Sequence, residues 1–566
     1  MKAASHAKVL GTDVVGGIRR CTYQLRARMW QFTGEILRFG ALREVGADVN
    51  QMVRAVASPS ILYSVECFGI SCAALQAVRS KAAVASSAKA GGKNVDMVWA
   101  VIDGASGTAD PAFEAHCGPV KYWALEWWEN WFPHQDIESV LEKAKAKLDV
   151  NGKSVWARVA GPATALTATL KRLNWKWVRA DTVMDDVGNE WVFGLDAPKT
   201  FAAAVHASVR RWRLKRIAKL FPQLLPDRPD VHTDPSTPTI LIDMFGVVSP
   251  LVKGKAREAN MTTRWNNSWA GDLASAMNGG QWPQTRKAKV ASWNITDDRC
   301  QLCFAEPGTL QHRHRCAATA EARCSIPPPK EAQFAHTKFN DDRLQLLQLR
   351  AVAVVKVPAP KPRTVGSFCW LVDPFLADHD QLHNATWYTD GSMLMGKWAP
   401  LRCTGFGVVV VSQCGALLGY GYGSPPSRIT TAAAAELWAV DFVLALNPCA
   451  PMIKTDCMSI ITAARRGTEC VTDASRPLAR LWRSIADSLD DDVGALVEQG
   501  ALTWIPAHLT IRAVGERKLP NGQRLTMVDW RANRLVDILA KAGAKKFAPA
   551  DTVMKMLTSA AVLAKH

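Results

Sequence analysis

The chain has 566 residues, enough for several domains that each bury a core. Hydrophobic residues at 48% and charged residues at 21% exclude a disordered or fibrous polymer. Lysine and arginine number 69 against 51 acids, and the net charge of +18 favours an anionic partner, of which nucleic acid is the usual one. No apolar run approaches the ~18 residues of a membrane span, and "MKAASHAKVLGTDVVGG" has no apolar signal core, so no membrane partner is expected. The 14 cysteines lack disulfide-like regularity outside one cluster. They predict a reducing, intracellular compartment, nucleus or cytoplasm, in which close cysteine pairs are read first as metal ligands.

Residues 1–75 read as mainly helical. In "RCTYQLRARMWQFTGEILRFGAL" (20–42) apolar positions recur at steps of three and four with arginines between them. "KAAVASSAKAGGK" (81–93) reads as a loose connection. Residues 76–221 form a tryptophan-rich, mostly helical region with no assigned role, whose aromatics are expected in a core rather than as base-stacking platforms. Within it, "DTVMDDVGNEWVFGL" (181–195) predicts a hairpin turning at Gly188–Asn189, and "SVRRWRLKRIAKLF" (208–221) a basic helix. A Pro-rich break, "PQLLPDRPDVHTDPSTP" (222–238), opens a linker region over 222–290. A cysteine cluster falls in 291–330. Residues 331–366 hold a helix and a second Pro-rich stretch, "VVKVPAPKPRTVG" (354–366), expected as an extended spacer.

From 367 to 545 strands and helices alternate. "NATWYTDGS" (384–392), "RCTGFGVVVVSQCG" (402–415) and "ALLGYGYGS" (416–424) predict three strands, the last two joined by a turn at Gln413–Gly415. A helix over 429–447, a strand at 452–457, a helix over 475–491, a strand at 500–508 and a closing helix over 528–544 follow. The fold class is therefore α/β: a mixed five-stranded sheet with flanking helices, preceded by largely helical regions and a small metal knuckle. Residues 546–566 read as a helical tail.

Four acids stand in apolar surroundings: Asp390 at a strand end, Glu436 within a helix, Asp456 at another strand end and Asp537 in the closing helix. Alone, the Asp390–Gly391 pair is also an ordinary turn signal. Four such carboxylates are costly to bury and repel one another, a conflict that divalent cations resolve. Carboxylate oxygens suit Mg²⁺, and two ions can hold the attacking and leaving oxygens of a phosphodiester.

In order, "YTDGS" (388–392), "AELWAV" (435–440), "KTDC" (454–457), "WIPAH" (504–508) and "ANRLVDILAK" (532–541) resemble the motifs of the type 1 ribonuclease H domain. The resemblance covers roughly 380–545. It implies that Asp390, Glu436, Asp456 and Asp537 bind two Mg²⁺ or Mn²⁺ ions, with Asp390 bridging them. It implies further that Glu436 helps read the ribose 2′-hydroxyl, that His508 assists proton transfer or product release, and that Asn533 contacts nucleic acid. Two departures stand out. His508 and Asp537 are 29 residues apart, and the added "IRAVGERKLPNGQRLTMVDWR" is either a basic flap or a solvated loop. Little room is left for a basic protrusion, so Arg465, Arg466, Arg476 and Arg480 are candidate nucleic-acid contacts, joined by Arg512 and Lys518 in the insertion.

"CQLCFAEPGTLQHRHRC" (300–316) spaces Cys300-x2-Cys303-x8-His312-x3-Cys316, which suits a closed, structural Zn²⁺ site. His314 competes with His312 as third ligand, and Cys324 is an alternative to Cys316. A similar Cys-Cys-His-Cys knuckle occurs in many non-LTR retrotransposon polyproteins. "KVLGTDVVGG" and "PSILYSVECFG" resemble the tail of a retrotransposon reverse transcriptase, but the only Tyr/Phe-x-Asp-Asp string, "FNDD" (339–342), leads into a helix-like stretch and not a polymerase hairpin. The expectation is a retroelement-derived protein without a polymerase palm that hydrolyses the RNA strand of RNA–DNA hybrids. The alternative is a non-catalytic nucleic-acid-binding relic. No obligate protein partner is expected.

Overall fold

Alanine-rich and heptad-like stretches make the first half of the chain helical. The structure, a computed structural model, describes residues 6–9, 12–15, 21–87, 93–149, 155–232, 234–254, 265–321, 327–520 and 522–566. A hairpin of β1 (His6–Val9) and β2 (Thr12–Val15) precedes α1 (Tyr23–Glu44). Leu25, Met29, Phe32, Ile36 and Phe39, one turn apart, point one face of α1 into a core with Val78 and Trp99. Val78 lies on α2 (Cys72–Ser86). This helix runs through the first six residues of the expected loose connection at 81–93 and across the boundary expected at 75/76, because its alanines are strong helix formers. Residues 88–92 of that connection lie outside the described residues.

α3 (Val95–Asp103), α4 (Pro111–Glu129), α5 (His134–Leu148), α6 (Pro162–Leu173) and α7 (Pro198–Leu220) follow. Trp123, Trp127, Trp175 and Trp191 pack with Phe113 and Phe201, so these aromatics are core. Between α6 and α7 lie β3 (Lys176–Trp177), β4 (Thr182–Met184) and β5 (Glu190–Val192). The β4–β5 turn is the predicted one, with Gly188 at φ +92°. The basic helix is the second half of α7, but its arginines are engaged within the molecule. Arg213 reaches the buried Asp103 at 2.6 Å, Arg216 reaches Asp96 at 3.0 Å, and Arg211 pairs with Asp186.

A third core joins segments far apart in sequence. β6 (Thr239–Asp243) pairs antiparallel with β7 (Val354–Pro358), Ile240 opposite Val357 and Ile242 opposite Val355. The expected spacer therefore begins as a strand. Val354, Val355 and Val357 are buried, and Pro358 ends β7 where a missing N–H is tolerated. α8 (Phe245–Val252) packs on this sheet, within the region expected as a linker. The C-terminal helix, expected as a tail, inserts Val553, Met556 and Leu557 into the same core, and Ser559 Oγ accepts the Ala335 N–H at 2.9 Å. Asn340 of "FNDD" caps α9 (Asp341–Arg350), as its helix-like sequel predicted.

The last sheet has six strands where five were expected, in the order β13–β12–β9–β10–β11–β8. These are β8 (Ser367–Val372), β9 (Thr386–Leu394), β10 (Cys403–Val411), β11 (Leu417–Ser424), β12 (Met452–Thr455) and β13 (Leu502–Trp504). The unexpected strand, β8, pairs antiparallel with β11. β12 runs parallel to both β9 and β13. α10 (Ala432–Leu446) covers one face over Trp387, Phe406 and Ile453, and α11 (Ala479–Asp487) adds Leu481 and Ile485 to that core. α12 (Met527–Lys545) covers the other face over Tyr388, Val409 and Ile505. It sits close because a Cβ on Gly405 would stand 1.9 Å from Ala544 N. α13 (Asp551–Lys565) is the C-terminal helix already placed in the third core. No helix among the described residues is long and apolar enough to cross a membrane.

Candidate metal centres and nucleic-acid surface

β9, α10 and β12 converge on three carboxylates. Ligand oxygens of Asp390, Glu436 and Asp456 all lie within 4.8 Å of one another. Glu436 reaches Asp390 because Gly391 lets the two backbones touch: a Cβ there would fall 2.1 Å from Glu436 N. Asp390 and Glu436 are buried, while Asp456 is half-buried. Burial, then the charge of Asp456, push the Asp390 carboxyl up to about 7. Burial, then the charges of Asp390 and Asp456, hold Glu436 far above the carboxylate range. Burial also raises Asp456, against the Asn533 amide and His508, which pull it down. None of the ion pairs among the described residues reaches these three acids, in contrast to Lys454–Asp529 and Lys541–Asp537 nearby. Three clustered oxygen donors with no cationic partner fit a hard divalent cation.

Thr455 Oγ1 lies 3.4 Å from Glu436 Oε2 and accepts the Cys457 N–H at 3.2 Å. Thr389 Oγ1 is buried without a partner. Each strand acid is thus preceded by a buried threonine, a repetition ("TD" at 389–390 and 455–456) visible in the sequence but not used there. The Trp504 indole N–H donates to Asp456 O at 3.0 Å and fixes the end of β12 against β13.

Of the four expected acids, the structure gathers three. Asp537 stands at the rim on α12: its charge raises both Asp390 and Asp456, but its carboxylate takes Lys541 at 2.7 Å. Asn533, one turn earlier, donates to Asp456 Oδ2 at 3.4 Å, so it positions a site acid. His508 is exposed at φ +52°, and with Asn533, Arg534 and Asp537 it lines a small cavity beside the cluster.

The described part of the insertion after His508 folds back onto the domain. Leu519 and Leu525 are buried against Ile505, Ala532 and Val536, and Lys518 bridges Arg524. Arg512 and Lys518 remain exposed on it. Arg465, Arg466 and Arg476 are exposed as well. Arg480 is not available as expected: it pairs at 2.7 Å with Asp196, whose side chain is 1% exposed. Beside it Arg483 stacks on Trp128, 3.2 Å from the ring centroid, and bonds Gly194 O. α11 spends these two arginines on docking to the helical half of the chain.

The second cluster is Cys300, Cys303, His312 and Cys316, whose ligand atoms also lie within 4.8 Å of one another. Cys303 Sγ is 3.2 Å from His312 Nε2, and Cys300 Sγ is 3.8 Å from Cys316 Sγ. His312, not His314, enters the cluster. Cys324 lies outside the described residues. Backbone N–H groups of Cys303 and Leu302 draw the Cys300 thiol below its usual range, and that of Ala305 does the same for Cys303. A residue absent from the sequence reading completes the set: Glu306 Oε2 lies 2.9 Å from His312 Nδ1. Its only sequence signal is an acid inside the knuckle loop. Three thiols and an imidazole at this spacing fit a tetrahedral Zn²⁺.

No protein-family model matches the chain, and no curated protein matches it. A solved structure, that of the foamy viral protease-reverse transcriptase in complex with dsDNA, is similar at 20% identity over 29% of this chain and 96% of that chain, with a TM-score of 0.20. A score of that size does not define a shared fold.

Proposed function

We propose that residues 367–545 are a divalent-cation-dependent ribonuclease that cuts the RNA strand of RNA–DNA hybrids, within a retroelement-derived chain lacking a polymerase palm. The observation that carries this reading is the trio of carboxylates from β9, α10 and β12 within 4.8 Å, which no ion pair among the described residues reaches. Three of the five ordered motifs of the ribonuclease H resemblance fall on or at the end of these elements, and the other two at the end of β13 and on α12. Asp390, Glu436 and Asp456 would hold the ions, with Asp537 at the rim. Bound Mg²⁺ or Mn²⁺ supplies Lewis-acid polarisation of a phosphodiester. Asn533 orients Asp456, and the exposed His508 lines the small cavity beside the cluster. Arg465, Arg466, Arg476, Arg512 and Lys518 offer phosphate contacts that carry no sequence information. We propose further that Cys300, Cys303, His312 and Cys316 bind a structural Zn²⁺.

The test is cleavage of a labelled hybrid by the full chain, with and without Mg²⁺, beside matched double-stranded RNA and DNA. Selective loss of the RNA strand in Mg²⁺ is expected. Binding without cleavage in any divalent metal leaves the non-catalytic relic. Comparable cutting of the DNA duplex overturns the role of Glu436 at the 2′-hydroxyl.

A further inference from the structure

The face of α1 turned away from its own core is also apolar, and it is built as a seam. Tyr23, Trp30 and Leu37 recur every seven residues and are 64%, 81% and 84% exposed. Four residues after each stand Ala27, Gly34 and Ala41, exposed too. As a heptad, the a positions Ala27, Gly34 and Ala41 are small and the d positions Tyr23, Trp30 and Leu37 are large; the next d position, Glu44, ends the helix and the apolar seam. No close packing among the described residues calls for a glycine at position 34. A Cβ there would meet nothing within 4 Å, yet glycine weakens the middle of a helix.

The alternation selects one partner. Two parallel copies would set small against small and leave voids. Two antiparallel copies set each a against a d. In the register that places Gly34 opposite Trp30, Ala27 falls opposite Leu37 and Ala41 opposite Tyr23. Every large side chain meets a small one, and the register is two-fold symmetric, as an isologous contact requires. On the flanks Arg38 falls beside Gln24 and Arg26 beside Gly40, so no arginine of the helix opposes another. Lys81 of α2 holds the Thr33 hydroxyl at the edge of the seam.

We propose that α1 is a self-association surface whose occupant is the antiparallel α1 of a second copy of this chain. A seam of this length, about 27 Å at the helical rise, is smaller than a standard interface, so the dimer dissociates on dilution.

Sedimentation equilibrium of the full chain across the micromolar range tests this. The mass is expected to rise from one copy to two. Trp30→Ala, which removes no buried contact of the protomer, is expected to weaken association about tenfold or more. Gly34→Trp, with unchanged circular dichroism, is expected to stay monomeric, and Trp30→Ala/Gly34→Trp, which exchanges large and small, to recover the dimer. A wild-type chain monomeric throughout, or a dimer indifferent to Trp30→Ala, overturns the proposal.

Discussion

Thr389 and Thr455 stand directly opposite each other where β9 and β12 run parallel. One step further along each strand, Asp390 and Asp456 must emerge side by side, because a one-residue step carries both to equivalent positions. The carboxylate cluster is thus set by strand register, and a one-residue slip of β12 would dismantle it.

Asp390→Asn is expected to abolish hybrid cleavage while leaving hybrid binding nearly intact, as read by a gel shift beside a nuclease assay. The same substitution removes one of three repelling carboxylates. In chelator the variant is therefore expected to melt above the wild type, by about 2–4 °C for each kcal/mol of repulsion relieved. A variant with near-normal cleavage sinks the metal assignment.

Glu306→Gln keeps the shape of the knuckle but weakens the acceptor that orients His312. Outer partners of this kind are typically worth about 10–100-fold in metal affinity. Zinc competition against a chromogenic chelator is expected to show a loss in that range, with the zinc-bound fold unchanged. Protein purified free of chelator, under reducing conditions, and holding no zinc would remove the site itself.

Arg480→Ala strands the buried Asp196 carboxylate without its partner. Breaking such a pair typically costs about 3 kcal/mol. Calorimetry is expected to show that loss, and Asp196→Asn/Arg480→Leu to recover part of it. Affinity for hybrid is expected to stay the same, whereas a tenfold loss with unchanged stability would return Arg480 to the nucleic-acid surface.

His116 is buried, its Nδ1–H facing Ala112 O at 2.6 Å and its Nε2 accepting from Arg172 Nε at 2.8 Å. Burial, then the Arg172 charge, hold it neutral well below the usual histidine range, and burial pushes His206 down to about 4. The unfolded chain takes up these protons near pH 6.5 and the folded chain does not, so stability is lost as pH falls below that value. Urea melts of the tryptophan fluorescence are expected to shift to lower midpoints between pH 7 and pH 5, and less so in His206→Asn.

The sequence made local features legible. The five motif strings place β9, α10, β12, β13 and α12, and the knuckle spacing names Cys300, Cys303, His312 and Cys316 while leaving His314 and Cys324 as alternatives; the structure groups the first four. What escaped it depends on distant partners. β8 follows a proline-rich stretch and becomes a strand only by pairing with β11. β6 and β7 meet across more than a hundred residues that carry no shared periodicity. Arg480 has the sequence of a surface arginine, and only the fold sets Asp196 against it. Asp537 carries the right spacing from Asn533, but Lys541, one turn on, takes its carboxylate.

The C-terminal helix α13 shares a core with Met97, Ile217 and Ile242. A chain leaving the ribosome has therefore synthesised those apolar residues long before Met556 exists to cover them. That core closes only after release of distant sequence, and contacts of such separation form slowly. During the wait its valines and Phe245 are exposed to other nascent chains, so the yield of folded protein should depend on a holding chaperone more than on the stability of the finished molecule.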